Sequence, residues 1–161
     1  MSDRTLAILT VVAAVGSGLA GGVFFAFSTF VMRALERLPP AAGLDAMQSI
    51  NVTAVRPGLM IELFGTAAVC AVVGGTACFH WGRPSSGYLL AGALVYLVLV
   101  VGVTALYHVP HNDALARLDP AAPASAGQWL HYARGWTAWN HLRTLGSAAA
   151  AVLFTLAARM A

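Results

Sequence analysis

The sequence is poor in charged residues and contains no lysine. Only 9% of its 161 residues are charged, whereas 59% are hydrophobic and the mean hydropathy is +0.76. A soluble domain usually carries about a quarter charged residues, so part of this surface must face an apolar medium. The nine basic residues, all arginine, are scattered along the chain. Without a run of like charge, a nucleic-acid-binding surface is not expected.

Cysteine is also scarce, and several enzyme motifs are missing. Cys70 and Cys78 would lie about 12 Å apart on one helix, too far for a disulfide, so we interpret both as small buried apolar residues. The sequence has no P-loop, dinucleotide-binding fingerprint, paired-cysteine motif or nucleophile elbow. Several classes of nucleotide-dependent and hydrolytic enzyme are therefore disfavoured.

Long uncharged runs predict membrane-spanning helices. The run between Arg4 and Arg33 exceeds the ~20 residues needed to cross a bilayer and is longer than the ~7–15-residue core of a signal peptide. Pro57 suits the first turn of a second helix, and Pro110 should stop or bend a third. We predict an all-α, four-helix transmembrane bundle forming a single membrane domain over residues 1–161, with helices at about 5–37, 57–80, 87–109 and 128–160.

Two local patterns add detail to this bundle. Leu44, Met47 and Ile50 recur at helical spacing, which predicts a short interfacial helix between helices 1 and 2. Gly18 and Gly22 form a small-xxx-small pair that would permit close packing of helix 1, unless their spacing reflects only the high glycine content.

Polar residues collect at one end of the predicted bundle. Four spans place both termini on one side, and the loops between helices 1 and 2 and between helices 3 and 4 on the other, which we call the site side. Ionisable groups within membrane helices are costly and are candidates for function. Six arginines on the site side against three opposite favour a cytoplasmic site side, and we expect a multi-pass protein of the plasma membrane. The polar residues near the membrane there are Arg56, Glu62, His108, His111, Asn112, Asp113, His131, Asn140, His141 and Arg143.

The fourth span must carry polar residues into the bilayer edge. The uncharged stretch between Arg143 and Arg159 covers only about 22 Å, short of the ~30 Å hydrocarbon core, so the helix should begin near Gln128. At about 100° per residue, seven residues share one third of its circumference, namely Trp129, Tyr132, Trp136, Trp139, Asn140, Arg143 and Ser147. Flat rings beside hydrogen-bonding groups would suit a polycyclic aromatic ligand. For Trp129 and Tyr132 we favour an interfacial aromatic belt; for Trp139, Asn140 and Arg143 we favour a site.

Two further hypotheses concern ionisable groups on the site side. Glu62 should pair with Arg143 or Arg56, because an unpaired carboxylate at the membrane edge is costly. His108 and His111 flank Pro110 and could bind copper, iron or zinc, with His141 as a third ligand. No paired-cysteine or HExxH pattern supports a metal, so hydrogen-bonded interfacial histidines are the favoured alternative.

Three segments resemble a known family. AMQSINVTAVRPGLM (46–60), NDALA (112–116) and WTAWNHLRT (136–144) are similar, in order and spacing, to the anthrone oxygenase-like family of small four-helix membrane proteins. The resemblance implies oxidation of a polycyclic phenolic substrate, anthrone to anthraquinone, with O₂ and no obvious organic cofactor. The family typically has leucine at the position of His111 and often a polar residue other than histidine at that of His108. These departures imply a modified site or another substrate. The matching site positions are Asn112, Trp139, Asn140, His141, Arg143 and Thr144.

The resemblance implies a mechanism in which a base removes a proton from the substrate and polar groups stabilise the anion. His141 would be the base, since histidine changes charge near neutral pH, and Arg143 with Asn140 or Asn112 would hold the enolate oxygen. Trp136 and Trp139 would sandwich the substrate rings. Glu62 and Thr144 are further candidates for substrate binding.

Two other functions stay open at the level of sequence. One is a non-enzymatic membrane binding or scaffold protein, and the other is a histidine-based metal-binding membrane protein. The expected partners are a small apolar or aromatic substrate, the lipid bilayer and, as an option, further copies of the chain. An enzyme needs a cavity open at the site side, whereas a scaffold would have that end packed shut.

Overall fold

The fold is an all-helical bundle. A computed structural model describes residues 1–160. Four of its helices are long and apolar enough to cross a membrane, and the short fifth helix lies between the first two of them, as predicted. Within the described residues there is no β-strand. The helices are α1 (Asp3–Glu36), α2 (Pro40–Ala54), α3 (Pro57–Phe79), α4 (Ser86–Ala116) and α5 (Ser125–Ala158).

Helix α4 does not end near residue 109 as predicted from the sequence, so Pro110 does not stop it. It continues to Ala116 through two π-helical segments, Tyr96–Gly102 and Thr104–His108. A π-turn inserts an extra residue and widens the helix. Because a proline lacks an N–H and needs room for its ring, the widened turn directly before Pro110 lets the helix go on.

The four spans form a ring in which α1 and α4 each pack against both α3 and α5. The core away from the site side contains Cys70, Val73, Tyr96 and Phe154, all fully buried. Cys78 is exposed, so the prediction that both cysteines are buried was wrong for this one. At the end opposite the site side, Arg83 bonds to Asp3.

Close helix packing uses other glycines than the predicted pair. Gly18 and Gly22 have nothing within 4 Å of a built Cβ, so they face outward and their predicted packing role was wrong. Gly16 faces Thr66 of α3, and Gly21 faces Ser147 of α5. Which face of α1 turns inward depends on its partners, and the glycine spacing alone does not define it.

We expect Gly16→Leu to destabilise the bundle and Gly18→Leu to leave it nearly unchanged. A Cβ at position 16 would overlap the Thr66 side chain, and overpacking typically costs about 1–3 kcal/mol. The two substitutions add the same side chain to the same helix, so their difference isolates the contact. Thermal unfolding in detergent should show a lower Tm only for Gly16→Leu; equal shifts would contradict this packing.

The first half of α5 is packed into the bundle on the site side. A second hydrophobic cluster joins it to α1, α2 and α4, with Trp129 fully buried and Tyr132 almost so. The aromatic-belt interpretation of these two residues was therefore wrong. They lie in the interior because α2 folds over this end of the bundle, with Leu44 and Met47 packed in the same cluster.

Candidate functional site

A cavity of about 170 Å³ lies at the site side and is lined by all five helices. Most of its wall is apolar, with Phe24, Phe27, Met47, Leu63 and Trp136 among the lining side chains. Its polar groups are few and come from three helices: Asn51 of α2, Thr104, His108 and Asn112 of α4, and Arg143 of α5. An apolar cavity with a few convergent polar groups is the usual form of a small-molecule site.

Arg143 is the one arginine that lines this cavity, and it is only 5% exposed. Its Nη1 donates to Thr104 Oγ1 at 3.2 Å and its Nη2 to Asn140 Oδ1 at 2.7 Å. The guanidinium carbon lies 4.2 Å from the centroid of the Phe24 ring and 5.3 Å from that of Trp136. Its Nε has no hydrogen-bond partner, and within residues 1–160 no carboxylate pairs with it. The cation is thus held by neutral groups and aromatic faces.

Asn140 sits behind Arg143 and positions it. Its side chain is completely buried, and its Nδ2 donates to the backbone oxygen of Phe24 at 2.7 Å and to Ser28 Oγ at 2.8 Å. Ser28 lies in a π-helical turn of α1, Phe27–Val31. Thr144 Oγ1 donates to the backbone oxygen of Asn140 at 3.0 Å. Asn140 and Thr144 therefore support the site without lining the cavity.

His108 is 2% exposed and lines the cavity. Its Nδ1 lies 3.4 Å from the backbone oxygen of Val103. A hydrogen on Nδ1 would donate to this carbonyl oxygen, and in that tautomer the lone pair is on Nε2. The Nε2 atom is buried without a partner, and the ring packs edge-on against Trp136 at 5.0 Å. In the tautomer with the hydrogen on Nδ1, His108 presents a proton acceptor to a largely apolar space.

Asn112 fixes the aromatic wall. Its Oδ1 accepts hydrogen bonds from Tyr132 Oη at 2.8 Å and from Trp136 Nε1 at 3.2 Å. Asn51 Nδ2 lies 3.5 Å from the same tyrosine oxygen. With the Asn112 oxygen occupied, its amide N–H groups remain as donors for a ligand.

Of the residues assigned to the site, His141 and Trp139 lie on the outer surface of the bundle. His141 is exposed in a separate groove on the outer face of α1 and α5. Trp139 is 42% exposed and stacks on Tyr107 at 4.9 Å. The predicted sandwich of substrate between Trp136 and Trp139 was therefore wrong, because the Trp139 ring is turned toward Tyr107 on the outer surface.

The histidines do not assemble as a metal site. Within residues 1–160 no group of three or more His, Cys, Asp or Glu side chains is arranged to hold an ion. His108 lines the cavity, whereas His111 is exposed and stacks on Tyr107 at 3.9 Å. The Tyr107 ring contacts both imidazoles, and the predicted third ligand, His141, lies in another groove.

Glu62 has no arginine partner in the described part of the chain. Its Oε1 accepts from Thr66 Oγ1 at 3.4 Å and its Oε2 is buried without a partner. The predicted pairing with Arg143 or Arg56 was wrong, because Arg143 is engaged by Thr104 and Asn140 and Arg56 is exposed. Nor does Glu62 line the cavity.

Sequence reasoning missed three contributors to this site. Thr104 interrupts the most apolar run of the chain, a signal that could have singled it out. Asn51 lies one helical turn after Met47, and both line the cavity. Phe24 gives no comparable signal, since its role depends on the packing of α1 against α5.

A protein-family model described as anthrone oxygenase matches residues 59–153, which is more than half of the chain. This chain belongs to the anthrone oxygenase family. No curated protein and no solved structure matches it. The region matched by the anthrone oxygenase model includes His108, Asn112, Trp136 and Arg143, so the α4 and α5 parts of the cavity lie within the family region. The residues of α1 and α2 that line the cavity precede this region in the sequence.

Proposed function

We propose that this protein is a membrane-embedded oxygenase that oxidises an activated carbon of a polycyclic phenolic, anthrone-like substrate with O₂. The observation that carries the proposal is a buried guanidinium without a counter-charge and an unpartnered imidazole nitrogen, both lining one apolar cavity. Membership of the anthrone oxygenase family supports an oxygenase-like relationship. The open cavity favours an enzyme over a scaffold, whose site-side end would be packed shut.

His108 and Arg143 would together convert the substrate into its enolate anion. His108 Nε2 removes a proton from the methylene carbon, and Arg143 stabilises the negative charge that develops on the enolate oxygen. The enolate carbon then gives electrons to O₂ and forms a C–O bond, and protonation yields a hydroperoxide. Loss of the remaining C–H proton with cleavage of the O–O bond gives the ketone and water. In balance, anthrone and one O₂ become anthraquinone and one H₂O.

This assignment moves the base from His141 to His108. His141 is exposed outside the cavity, so its ring cannot reach a substrate that contacts Arg143. Trp136 supplies an aromatic surface, held in orientation by Asn112, and Phe27 packs against it at 5.6 Å. Asn112 can add a second donor to the enolate oxygen. Asn140, Thr144 and Thr104 are positioning residues.

The cavity opens toward the lipid-facing surface. Val23 of α1, Phe64 of α3 and Val109 of α4 line it and are also exposed. At about 170 Å³ it is smaller than the ~300–1,000 Å³ of typical ligand pockets. We therefore expect only the reacting ring to enter fully, while the rest of a tricyclic substrate lies in the opening. An apolar substrate dissolved in the bilayer would arrive at that opening directly.

Oxygen uptake by the reconstituted protein tests this function. With anthrone as substrate, we expect one O₂ consumed per anthraquinone formed, at a rate well above that of empty nanodiscs. With ¹⁸O₂, one labelled atom should appear in the new carbonyl and the other in water. Oxidation no faster than with empty nanodiscs, for anthrone and for a panel of related phenolic polycycles, would contradict the proposal.

A further inference from the structure

A second polar site lies on the outer surface of the bundle, away from the cavity. It is a groove of about 300 Å³ between the site-side parts of α1 and α5, and it shares no lining residue with the cavity. Arg33 and Glu36 come from α1, and Arg134, Thr137 and His141 come from α5. We call it the Arg33–Arg134 groove.

The charge of this groove suits an anion. Arg33 and Arg134 are exposed, and in the part of the chain that the structure describes neither forms a salt bridge. Glu36 is the one carboxylate among the lining residues. Guanidinium groups form paired hydrogen bonds to phosphate oxygens, so the two exposed arginines are suited to bind one.

The position of the groove favours a lipid as the source of that phosphate. Toward the middle of the bundle, both flanking helices present apolar side chains on their outer surfaces. Phe25, two turns before Arg33, is exposed, and so is Leu145, one turn after His141. A headgroup in the groove would thus lie directly above a lipid-facing apolar surface for its acyl chains. Basic pockets between membrane helices bind anionic headgroups in this way.

We propose that the Arg33–Arg134 groove binds the phosphate of an anionic phospholipid. The two guanidinium groups hold the phosphate, and the exposed imidazole of His141 lies beside it in the groove. The acyl chains follow the outer surfaces of α1 and α5. None of the residues of this groove lines the cavity, although its Ser28 accepts a hydrogen bond from Asn140, so lipid binding can be measured separately from the proposed oxygenase activity.

Native mass spectrometry of the full chain with titrated lipids tests the site. We expect phosphatidylglycerol to be retained in preference to phosphatidylcholine. At ~1 kcal/mol per arginine near a membrane surface, Arg33→Gln/Arg134→Gln should weaken phosphatidylglycerol binding by roughly 30-fold. The matched control, Arg37→Gln/Arg117→Gln, removes two exposed arginines of the same side that do not line the groove, and it should bind like the wild type.

Three results would overturn the proposal. One is equal retention of the two lipids by the wild type, a comparison that needs no variant. Another is equal weakening of phosphatidylglycerol binding in both double variants, which would show that the effect comes from the general surface charge and not from the groove. The third is displacement of the lipid by millimolar inorganic phosphate, which would make the groove a site for the free anion.

Discussion

Replacing Arg143 with methionine should lower kcat by about 10²–10³-fold, the usual cost of removing one preorganised donor to a developing oxyanion. The guanidinium lines the cavity, is almost fully buried and has no carboxylate partner within residues 1–160. Its charge is therefore available to an anionic intermediate. Arg143→Lys keeps the charge but cannot hold Thr104 and Asn140 in the same fixed geometry. Its kcat should therefore lie between those of Arg143→Met and the wild type.

Anthraquinone formation under saturating substrate measures this effect. Arg134→Met, a change to an exposed arginine of the same helix outside the cavity, is the matched control and should keep wild-type kcat. Arg143→Met leaves Asn140 Oδ1 without its donor, which costs about 1–3 kcal/mol, so the Tm of each variant must be recorded as well. Unchanged kcat in a folded Arg143→Met protein would remove Arg143 from the mechanism.

Replacing His108 with glutamine should lower kcat by about 10²–10⁴-fold, the usual contribution of a general base. Glutamine has a similar size and can still donate to the Val103 carbonyl, but it cannot accept a proton. His141→Gln and His111→Gln are matched controls, because both histidines are exposed outside the cavity. We expect both to retain wild-type kcat.

A pH series separates loss of the base from a packing defect. At alkaline pH the substrate ionises without a base from the protein, so the activity of His108→Gln should recover as the pH rises. The activity of the wild type should change less over the same range. A packing defect would depress activity equally at every pH. A full loss of activity in His141→Gln, with no loss in His108→Gln, would show that His141 is the base.

The buried face of α5 could be predicted from the sequence because helical periodicity is a local property. Projection at about 100° per residue grouped Trp136, Asn140 and Arg143, and all three are buried on one face. The same projection included Trp139, which is exposed. It lies at the border of that face, where the neighbouring ring of Tyr107 decides its direction.

The choice among histidines could not be predicted. His108 lines the cavity as the last residue of the π-helical segment Thr104–His108, and no propensity rule predicts the position of such a segment. His141 matched a family segment, but its ring faces the outer groove because Asn140, one residue earlier, occupies the inward direction. The absence of an arginine partner for Glu62 within residues 1–160 likewise depends on long-range contacts, which direct Arg143 to Thr104 and Asn140.

The uncompensated charge of Arg143 has a consequence for product release. In the proposed reaction, the enolate carries a negative charge that can neutralise this guanidinium, whereas the carbonyl of the product is neutral. The cavity should therefore hold the intermediate strongly and the finished quinone weakly. The electrostatic attraction between Arg143 and the enolate is lost once the neutral product has formed. The quinone can then leave through the opening into the lipid.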